Sequence, residues 1–249
     1  MCKGTCFIFL LFFLFFVSAC KTDPSSSAGK NSIDSTGTVT DIDGNVYKTI
    51  KIGSQWWMAE NLKAVRFQNG DSIYHETQGQ QWINLTSEAY CAYLNDDNNA
   101  DVYGLLYNWF AVNDSRGLAP AGWHIPSDEE WKQLEMHLGM DRSEADEAGT
   151  RGTVEGGKLK MTGTIEEGSG LWFQPNTGAD NESGFAALPG GRRGSAGAFL
   201  SKGSHAFFWS STSFDGVLAW SRSLHYFDSG CTRESRYKGY GFSIRCIKD

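Results

Sequence analysis

The sequence predicts one α+β domain with mostly antiparallel strands, and three observations favour this fold class. Residues 122–139 read GWHIPSDEEWKQLEMHLG and have the start signal, apolar face and stop signal of a short helix. Asp43-Gly44 separates two segments in which apolar and polar residues alternate, as they do in a β-hairpin. Several segments of the C-terminal third alternate in the same way, which is typical of half-buried antiparallel strands.

Composition limits the number of domains and the possible partners. The chain has 249 residues, which is enough for a sizeable core, and its sequence shows no internal repeat of useful length. We therefore expect a single domain over residues 38–249. The formal net charge of −7, without a concentrated basic segment, argues against nucleic acid as a partner, because phosphate binding needs a basic surface.

Residues 1–19 are predicted to be a lipoprotein signal peptide. Lys3 supplies a positive charge, and residues 7–16 form an apolar segment too short for a stable membrane-spanning helix. Residues 17–20, VSAC, match the bacterial lipobox, which predicts cleavage before Cys20 and attachment of lipid to its thiol. The alternative is an ordinary secretory signal with an incidental cysteine.

Residues 20–37 are predicted to be the lipidated cysteine and a flexible tether that holds the domain off the membrane. The tether sequence, KTDPSSSAGKNSIDSTG, contains almost nothing to bury. Lys21 rather than Asp follows the cysteine, and by resemblance to other lipoproteins this favours the bacterial outer membrane. The domain is then expected to face the cell surface or the periplasm.

The part of the chain before residue 122 is predicted to contain four strands and one helix. The strands are expected at residues 38–42, 46–52, 55–58 and 90–94. Residues 59–81 are irregular apart from a turn at Asn69-Gly70-Asp71. The helix is expected to begin at Asp101, to end at Asn113-Asp114, and to bury the i, i+3, i+4, i+7 set of Tyr103, Leu106, Tyr107 and Phe110.

The helix within residues 122–139 has the clearest local signals. Ser127 and Glu130 form a capping box, in which each side chain satisfies a free backbone N–H of the first turn. Gly139 supplies the left-handed end. One face carries three apolar residues, Trp131, Leu134 and Leu138, so this helix is expected to pack on a sheet.

The remainder is predicted to be mainly strand. Residues 143–150 have the pattern of a short solvated helix, whereas residues 150–170 are rich in glycine and show no stable period. Strands are expected within residues 185–194, 207–213, 218–226 and 240–248.

With these residues laid out, the chain resembles the Fibrobacter succinogenes major paralogous domain, which is abundant in Bacteroidetes lipoproteins. The resemblance runs from Gly37 to the C-terminus. It is carried by GTVTDIDGNVYKTIKIGSQWWMAENL at 37–62, YGLLYNWFAV at 103–112, GWHIPSDEEWKQL at 122–134, NESGFAALPGGRR at 181–193, FWSST at 208–212 and YGFSIRCIKD at 240–249. Two departures are Leu118-Ala119-Pro120, where members usually read Leu-Cys-Pro, and the presence of Cys231.

That family is in turn similar to the formylglycine-generating enzyme and C-type lectin-like fold. The resemblance implies two helices flanking a twisted, mostly antiparallel sheet. Formylglycine-generating enzymes bind copper with two reactive cysteines near the C-terminus, and Cys231 and Cys246 are the candidates here. Cys246 lies within an alternating segment, which does not favour an accessible thiol.

By analogy with the lectin-like fold, the resemblance also implies a disulfide between Cys91 and Cys246. Cys231–Cys246 is the alternative pairing, and sequence alone does not decide between them. Three cysteines remain beyond Cys20, so at least one is expected to lack an intramolecular partner. An exported domain favours structural disulfides.

No cofactor is expected, and the metal candidates are weak. The five histidines lack metal-ligand spacing, and Ser210-Ser211 lacks the glycine elbow of hydrolases. Asp96, Asp97 and Asp101 could offer oxygen ligands to Ca²⁺, but a solvated helix-capping loop is the favoured explanation for them. A similar second set is Asp180, Asn181 and Glu182.

The remaining candidates point to recognition. Rings that stack on sugar faces, beside donors of fixed geometry, are typical of a glycan or protein surface site. The candidate ligand-binding residues of the C-terminal half are Trp209, Trp220, Arg222, Tyr226 and Arg192, accompanied by Arg193, His225, Arg236 and Tyr237. The alternative for each is a core ring or a solvated arginine.

The sequence therefore predicts a non-enzymatic, lipid-anchored envelope protein. Its lectin-like domain is expected to bind an extracellular ligand, either a polysaccharide or another envelope protein. The alternatives are a copper-dependent cysteine-oxidising enzyme and a purely structural envelope protein.

Overall fold

Thirteen strands in three sheets and six α-helices make up the described part of the computed structural model, which comprises Met1 and residues 35–249. The predicted signal peptide, the lipid attachment at Cys20 and nearly all of the predicted tether lie outside the described residues. Within the described residues, no helix is long and apolar enough to cross a membrane.

The strands and helices follow one another in chain order. The strands are β1 (Thr36–Thr40), β2 (Val46–Ile52), β3 (Gln55–Met58), β4 (Tyr90–Cys91), β5 (Leu106–Tyr107), β6 (Trp123–His124), β7 (Gly149–Arg151), β8 (Gly190–Arg193), β9 (Phe199–Lys202), β10 (His205–Ser213), β11 (Leu218–His225), β12 (Cys231–Tyr237) and β13 (Ile247–Lys248). The helices are α1 (Gly79–Ile83), α2 (Asp97–Tyr103), α3 (Trp109–Val112), α4 (Asp128–His137), α5 (Arg142–Asp146) and α6 (Glu155–Leu159).

The first sheet joins the two ends of the domain. Its strand order is β1-β2-β3-β13-β6, and all its pairs are antiparallel. The predicted hairpin turn at Asp43-Gly44 is confirmed, with Gly44 at φ 86°. Ile247 of the last strand pairs with Trp57 on one side and His124 on the other, so the C-terminal strand lies inside this sheet.

The second sheet comes mostly from the C-terminal third. Its order is β7-β12-β11-β10-β8-β9, and its parallel pair is the contact of β10 with β8 at Ala206 and Gly191. The β10–β11 hairpin places His205 opposite His225 at its open end. A separate two-stranded sheet joins β4 to β5.

The core lies on both faces of β10, because successive residues of a strand point to opposite sides. Phe207 and Trp209 join one apolar cluster with Phe242, whereas Phe208 joins a second cluster with Trp131. Burying each such ring contributes about 1.5–3 kcal/mol relative to exposure. Both faces of the second sheet are therefore covered over much of their area.

Helix α4 forms as its sequence predicts. The Ser127 hydroxyl accepts a hydrogen bond from the Glu130 backbone N–H at 3.3 Å, and the Glu130 carboxylate accepts one from the Ser127 N–H at 2.8 Å. Trp131, Leu134 and Leu138 are buried in the second cluster. The capping box and the apolar face are thus confirmed.

The predicted helix from Asp101 to Asn113 is wrong. Helix α2 ends at Tyr103, where Gly104 at φ 74° lies so close to Asn61 that a Cβ on it would stand 2.6 Å from the Asn61 Cβ. Tyr107 then pairs its backbone with Phe242 at 2.9 and 3.0 Å. These tertiary contacts divide the segment into α2, β5 and α3, despite its helical periodicity.

Other boundaries also differ from the prediction. The strand expected at 90–94 ends at Cys91, because Leu94 has φ 56° within a 3-10 turn at Tyr93–Asn95. Helix α5 is shorter than the predicted 143–150, and the aperiodic segment 150–170 contains α6. The mixed, mostly antiparallel architecture is confirmed, but three sheets replace the expected single sheet with two flanking helices.

Candidate functional site

Arg222 is a structural residue, so its assignment to a ligand surface is wrong. It lies beneath α4, where its guanidinium donates to Glu135 at 2.6 Å and to Asp128 at 2.8 Å. Arg233 donates to the same Asp128 at 2.7 Å, and Arg151 donates to Glu135 at 2.9 Å. Burial alone raises the pKa of Asp128, but Arg233 and Arg222 hold that pKa at about 2. This buried ionic cluster fixes α4 on the sheet.

Trp209 and Arg193 are also buried, and their assignment to a ligand surface is wrong. Trp209 is 0% exposed and donates its indole N–H to the Tyr107 carbonyl at 2.9 Å. Arg193 is 0% exposed, lies over the Trp82 ring at 4.4 Å, and donates to the Thr77 carbonyl at 3.1 Å. The alternating pattern of their strands does not reveal that both faces are covered.

Trp220 and Tyr237 lie near the turn end of the β10–β11 hairpin. Trp220 is partly buried, with the Arg233 guanidinium 3.5 Å from its ring centroid and Phe214 in an edge contact at 5.0 Å. Tyr237 is exposed beside Val217, at a shallow cavity of about 290 Å³. They are therefore separated from the candidates at the open end of the hairpin.

The open end of the hairpin carries a group of partly exposed rings that we call the aromatic platform. It consists of Phe173, His205, His225, Tyr226 and Phe227. The His205 and His225 rings lie 4.3 Å apart between centroids, and Phe227 lies 5.3 Å from both His225 and Tyr226. Phe173 meets Tyr226 edge-on at 6.2 Å. Phe227 is 54% exposed and Phe173 is 40% exposed, so the rings offer a continuous apolar surface to solvent.

The platform stands on a fixed backbone. The buried Lys160 ammonium donates to three carbonyl oxygens, those of Thr177, His225 and Asp228, at 2.8, 2.9 and 2.8 Å. Burial lowers the pKa of Lys160 to about 8. Because one side chain ties two loops to the end of β11, the rings are held in place before any ligand binds.

The two histidines of the platform are neutral at neutral pH. Burial lowers the pKa of His205 to about 4, and the charges of His225 and Arg192 act in the same direction. Burial also lowers the pKa of His225. The rings contact the hydroxyls of Ser204 at 2.8 Å and Ser223 at 3.2 Å. Each neutral imidazole offers one donor and one acceptor nitrogen.

Arg192 extends the platform on its other side. Its guanidinium carbon lies 4.8 Å from the Phe207 ring and 5.5 Å from the Tyr240 ring, and Phe207 stacks on His205 at 5.5 Å. Burial lowers the pKa of Arg192, which nevertheless stays charged. Among the described residues its side chain has no hydrogen-bond or ion-pair partner, and its buried Nε atom is unsatisfied. Arg236, nearby on β12, pairs with Glu234.

The structure thus brings together three of the candidates proposed from sequence, Arg192, His225 and Tyr226. The backbone of Arg236 pairs with Ala219 toward the turn end of the hairpin, and its charge acts on Arg192 and His225. Sequence reasoning missed Phe173, His205 and Phe227. The sequence did contain a signal for His205. If the strands predicted at residues 207–213 and 218–226 form a hairpin, and the first strand is extended toward its N-terminus, His205 lies opposite His225. Phe173 follows a glycine-rich segment of no clear pattern and gave no such signal.

The cysteines do not form the expected disulfide. Cys91, Cys231 and Cys246 are all free and fully buried, and each lies in a different apolar cluster. Both proposed pairings, Cys91–Cys246 and Cys231–Cys246, are therefore wrong. Burial raises the pKa of Cys231 and of Cys246, and that of Cys91 to about 11, so all three favour the neutral thiol.

The acidic candidates are engaged in local structure. The Asp96 carboxylate accepts a hydrogen bond from the Asn98 backbone N–H at 3.0 Å and caps α2, which contains Asp97 and Asp101. Asp180 accepts from the Glu182 N–H at 2.9 Å. No group of three or more metal-binding side chains occurs in the part of the chain that the structure describes.

A larger cavity, about 600 Å³, lies between the β1–β2 hairpin and residues 181–188. Its walls are mainly apolar, and two of its polar groups already bind the protein. The Glu60 carboxylate accepts from the Lys48 backbone N–H at 2.6 Å, and the Asn181 side-chain oxygen accepts from the Ala186 N–H at 2.9 Å. The aromatic platform is the better candidate because the Arg192 side chain beside it has no hydrogen-bond partner among the residues that the structure describes.

Comparison with known proteins gives a family match. The family model described as the Fibrobacter succinogenes major domain covers residues 50–248, which confirms the family resemblance proposed from the motifs. No curated protein and no solved structure matches the chain.

Proposed function

The chain belongs to the Fibrobacter succinogenes major domain family, and from this premise we propose that it is a non-enzymatic envelope lipoprotein that binds a polysaccharide on the aromatic platform. A protein ligand from the envelope is the alternative occupant of the same surface. The anchor in this proposal is lipid on Cys20, in the bacterial outer membrane.

The observation that carries the proposal is the platform itself. Exposed rings cost little to desolvate, and their flat faces suit the apolar faces of sugar rings. Each neutral imidazole has one ring nitrogen bonded to a serine hydroxyl, and its other nitrogen can bond a sugar hydroxyl without the desolvation cost of a charge. The three hydrogen bonds of Lys160 hold the backbone beneath them, so ligand binding loses little entropy in ordering the site.

The buried thiols support a non-enzymatic role over copper-dependent cysteine oxidation. A copper pair needs two accessible, deprotonated sulfurs close together. Cys231 instead donates its S–H to Glu135 at 3.2 Å in one cluster, and Cys246 lies in another. These residues do not fit the metal.

The likeness to the C-type lectin-like fold remains part of this proposal. It is supported by the position of the C-terminal strand β13, which pairs with β3 inside the sheet formed by the N-terminal strands. The proposed ligand surface lies at the open end of the β10–β11 hairpin, in the C-terminal half, where the resemblance implies a ligand site.

Binding measurements on ring variants test the proposal. The full-length chain is titrated calorimetrically with a panel of neutral and acidic polysaccharides. Phe227→Ala removes a ring that is 54% exposed on the platform, and we expect affinity to fall roughly tenfold because the stacking contact is lost.

The matched control is Phe214→Ala, which removes a ring of similar exposure, 51%, at the opposite end of the hairpin. We expect this variant to bind as the unaltered protein does. Equal losses in the two variants, or no binding to any polysaccharide, would contradict the proposed function.

A further inference from the structure

We propose that the polysaccharide is acidic and that one of its carboxylates binds the guanidinium of Arg192. This inference rests on the proposed function and specifies the chemical class of the ligand.

Arg192 differs from every other arginine in the described residues. The other nine each donate to a carboxylate or a backbone carbonyl: Arg66, Arg116, Arg142, Arg151, Arg193, Arg222, Arg233, Arg236 and Arg245. In the described part of the chain the Arg192 guanidinium has neither kind of partner, and its buried Nε–H has no acceptor. The two terminal Nη groups are not among the buried unsatisfied atoms and have no hydrogen-bond partner in the described residues, so an anionic ligand that reaches them gains charge-assisted hydrogen bonds.

The orientation of Arg192 is fixed by its neighbours. Its guanidinium lies over the Phe207 ring at 4.8 Å and near the Tyr240 ring at 5.5 Å. Stacking of this kind holds the planar group without using its N–H donors. The free donors match the two oxygens of a carboxylate, which arginine binds in a bidentate arrangement.

The local charge also favours an anion. The charged groups that act on the platform are the cations Arg192, Arg236 and Lys160 and the carboxylates Glu234 and Asp228, three positive charges and two negative ones. The whole chain carries a net charge of −7, so this region is positive within an acidic protein. Such a local potential attracts an anionic group to the platform.

The arrangement fits a glycan better than an acidic peptide. One unpaired cation lies beside a row of rings, and Phe207 links it to His205 of that row at 5.5 Å. An acidic polysaccharide offers carboxylates separated by the apolar faces of its sugar rings, whereas a run of acidic side chains needs several cations and has no apolar face for the rings.

The test compares two forms of one polymer. Polygalacturonate carries a carboxylate on each sugar, and its fully methyl-esterified form has the same backbone without the charge. We expect the full-length chain to bind polygalacturonate more tightly. Arg192→Gln should weaken that binding about tenfold or more and leave binding of the ester unchanged, since only the charged hydrogen bonds are removed. Arg66→Gln, an exposed arginine paired with Asp43 on the first hairpin, is the control and should change neither.

Arg192→Lys separates charge from geometry. Lysine keeps the positive charge but lacks the planar guanidinium that makes two parallel hydrogen bonds. We therefore expect its affinity for polygalacturonate to lie between those of the unaltered chain and Arg192→Gln. Circular dichroism melting of each variant establishes that it is folded. If Arg192→Gln does not fold, the comparison of the two polymers and the affinity of Arg192→Lys still test whether a carboxylate binds the guanidinium.

The failures are distinguishable from one another. If the unaltered chain binds both polymers equally well and Phe227→Ala binds neither, the carboxylate assignment is wrong but the proposed function is still supported. Tighter, Arg192-dependent binding of poly-glutamate than of polygalacturonate overturns the glycan in favour of an acidic peptide. Absence of binding to either polymer, and to the wider panel, overturns both proposals.

Discussion

Individual arginines in this protein have opposite roles that depend on their surroundings. Arg222 and Arg233 share Asp128 at 2.8 and 2.7 Å beneath α4, where every charge has a partner. Removing one member of such a buried cluster is strongly destabilising, because the others lose their compensation. The Arg192 side chain has no such bond among the described residues, so its charge is available to a ligand. Residue type alone does not separate the two roles.

The histidine pair should make stability depend on pH. Burial lowers the folded-state pKa of His205 to about 4, whereas the unfolded chain titrates near the ordinary value of about 6.5. Between these values the unfolded state binds more protons at this site, so the contribution of the pair to stability is expected to fall as pH falls from about 6.5 toward about 4, while His124, whose pKa is raised, acts in the opposite direction. Urea unfolding at pH 7 and pH 5 measures the difference.

His205→Gln should reduce that difference, because it removes one of the two groups that titrate. His75→Gln, at a histidine that stacks on Tyr90 away from the platform, is the control. A pH effect that is as large in His205→Gln as in the unaltered chain would contradict the contribution of His205.

Helices and strands whose formation depends on neighbouring residues in the sequence were predicted correctly. Helix α4 was predictable because its capping box and its apolar face lie within a few consecutive residues. The first β-hairpin was predictable because Asp43-Gly44 favours a tight turn in which glycine takes a positive φ. The segment from Asp97 to Val112 was not predictable, because its breaks depend on Asn61, Leu62 and Phe242, which are distant in sequence.

The candidate ligand-binding residues show the same difference between local sequence patterns and tertiary contacts. Alternation in β10 and β11 identifies two faces of each strand but not which face another element covers. Trp209 and Arg222 were therefore assigned to a surface and are buried, whereas Tyr226 and His225 lie at a strand end where nothing covers them fully. Phe173 reaches the platform from a loop whose path depends on tertiary contacts, including the bond of its N–H to the Gly203 carbonyl at 2.7 Å.

Gly104 is the residue at which α2 must end. We expect Gly104→Ala to destabilise the protein by more than about 2 kcal/mol, because a side chain is strained at φ 74° and its Cβ would lie 2.6 Å from that of Asn61. Gly44→Ala is the control, since Gly44 has φ 86° but a Cβ there would have no atom within 4 Å. It should cost about 1 kcal/mol. Equal losses of the free energy of unfolding, measured with urea, would mean that crowding at Gly104 is unimportant.

At the level of the whole molecule, the two larger sheets and the apolar clusters of the described residues form a scaffold that carries the aromatic platform. The cysteines, the acidic candidates and nine of the ten described arginines take part in local structure or the core. The rings of the aromatic platform pack on that scaffold but stay partly exposed, and the Arg192 guanidinium stacks on Phe207 without a hydrogen-bond partner among the described residues. The proposed binding function is consistent with this distribution, because a binding module needs a rigid body and an accessible face.

Hydroxyl-radical footprinting of the full-length chain, with and without the polysaccharide that binds it most tightly, tests the central claim most directly. Oxidation of exposed rings is quantified residue by residue by mass spectrometry. We expect the polysaccharide to protect Phe173, Tyr226 and Phe227 and to leave the oxidation of Phe214 and Tyr237 unchanged. Protection confined to Phe214 and Tyr237, or no protection at any of these rings, would contradict it.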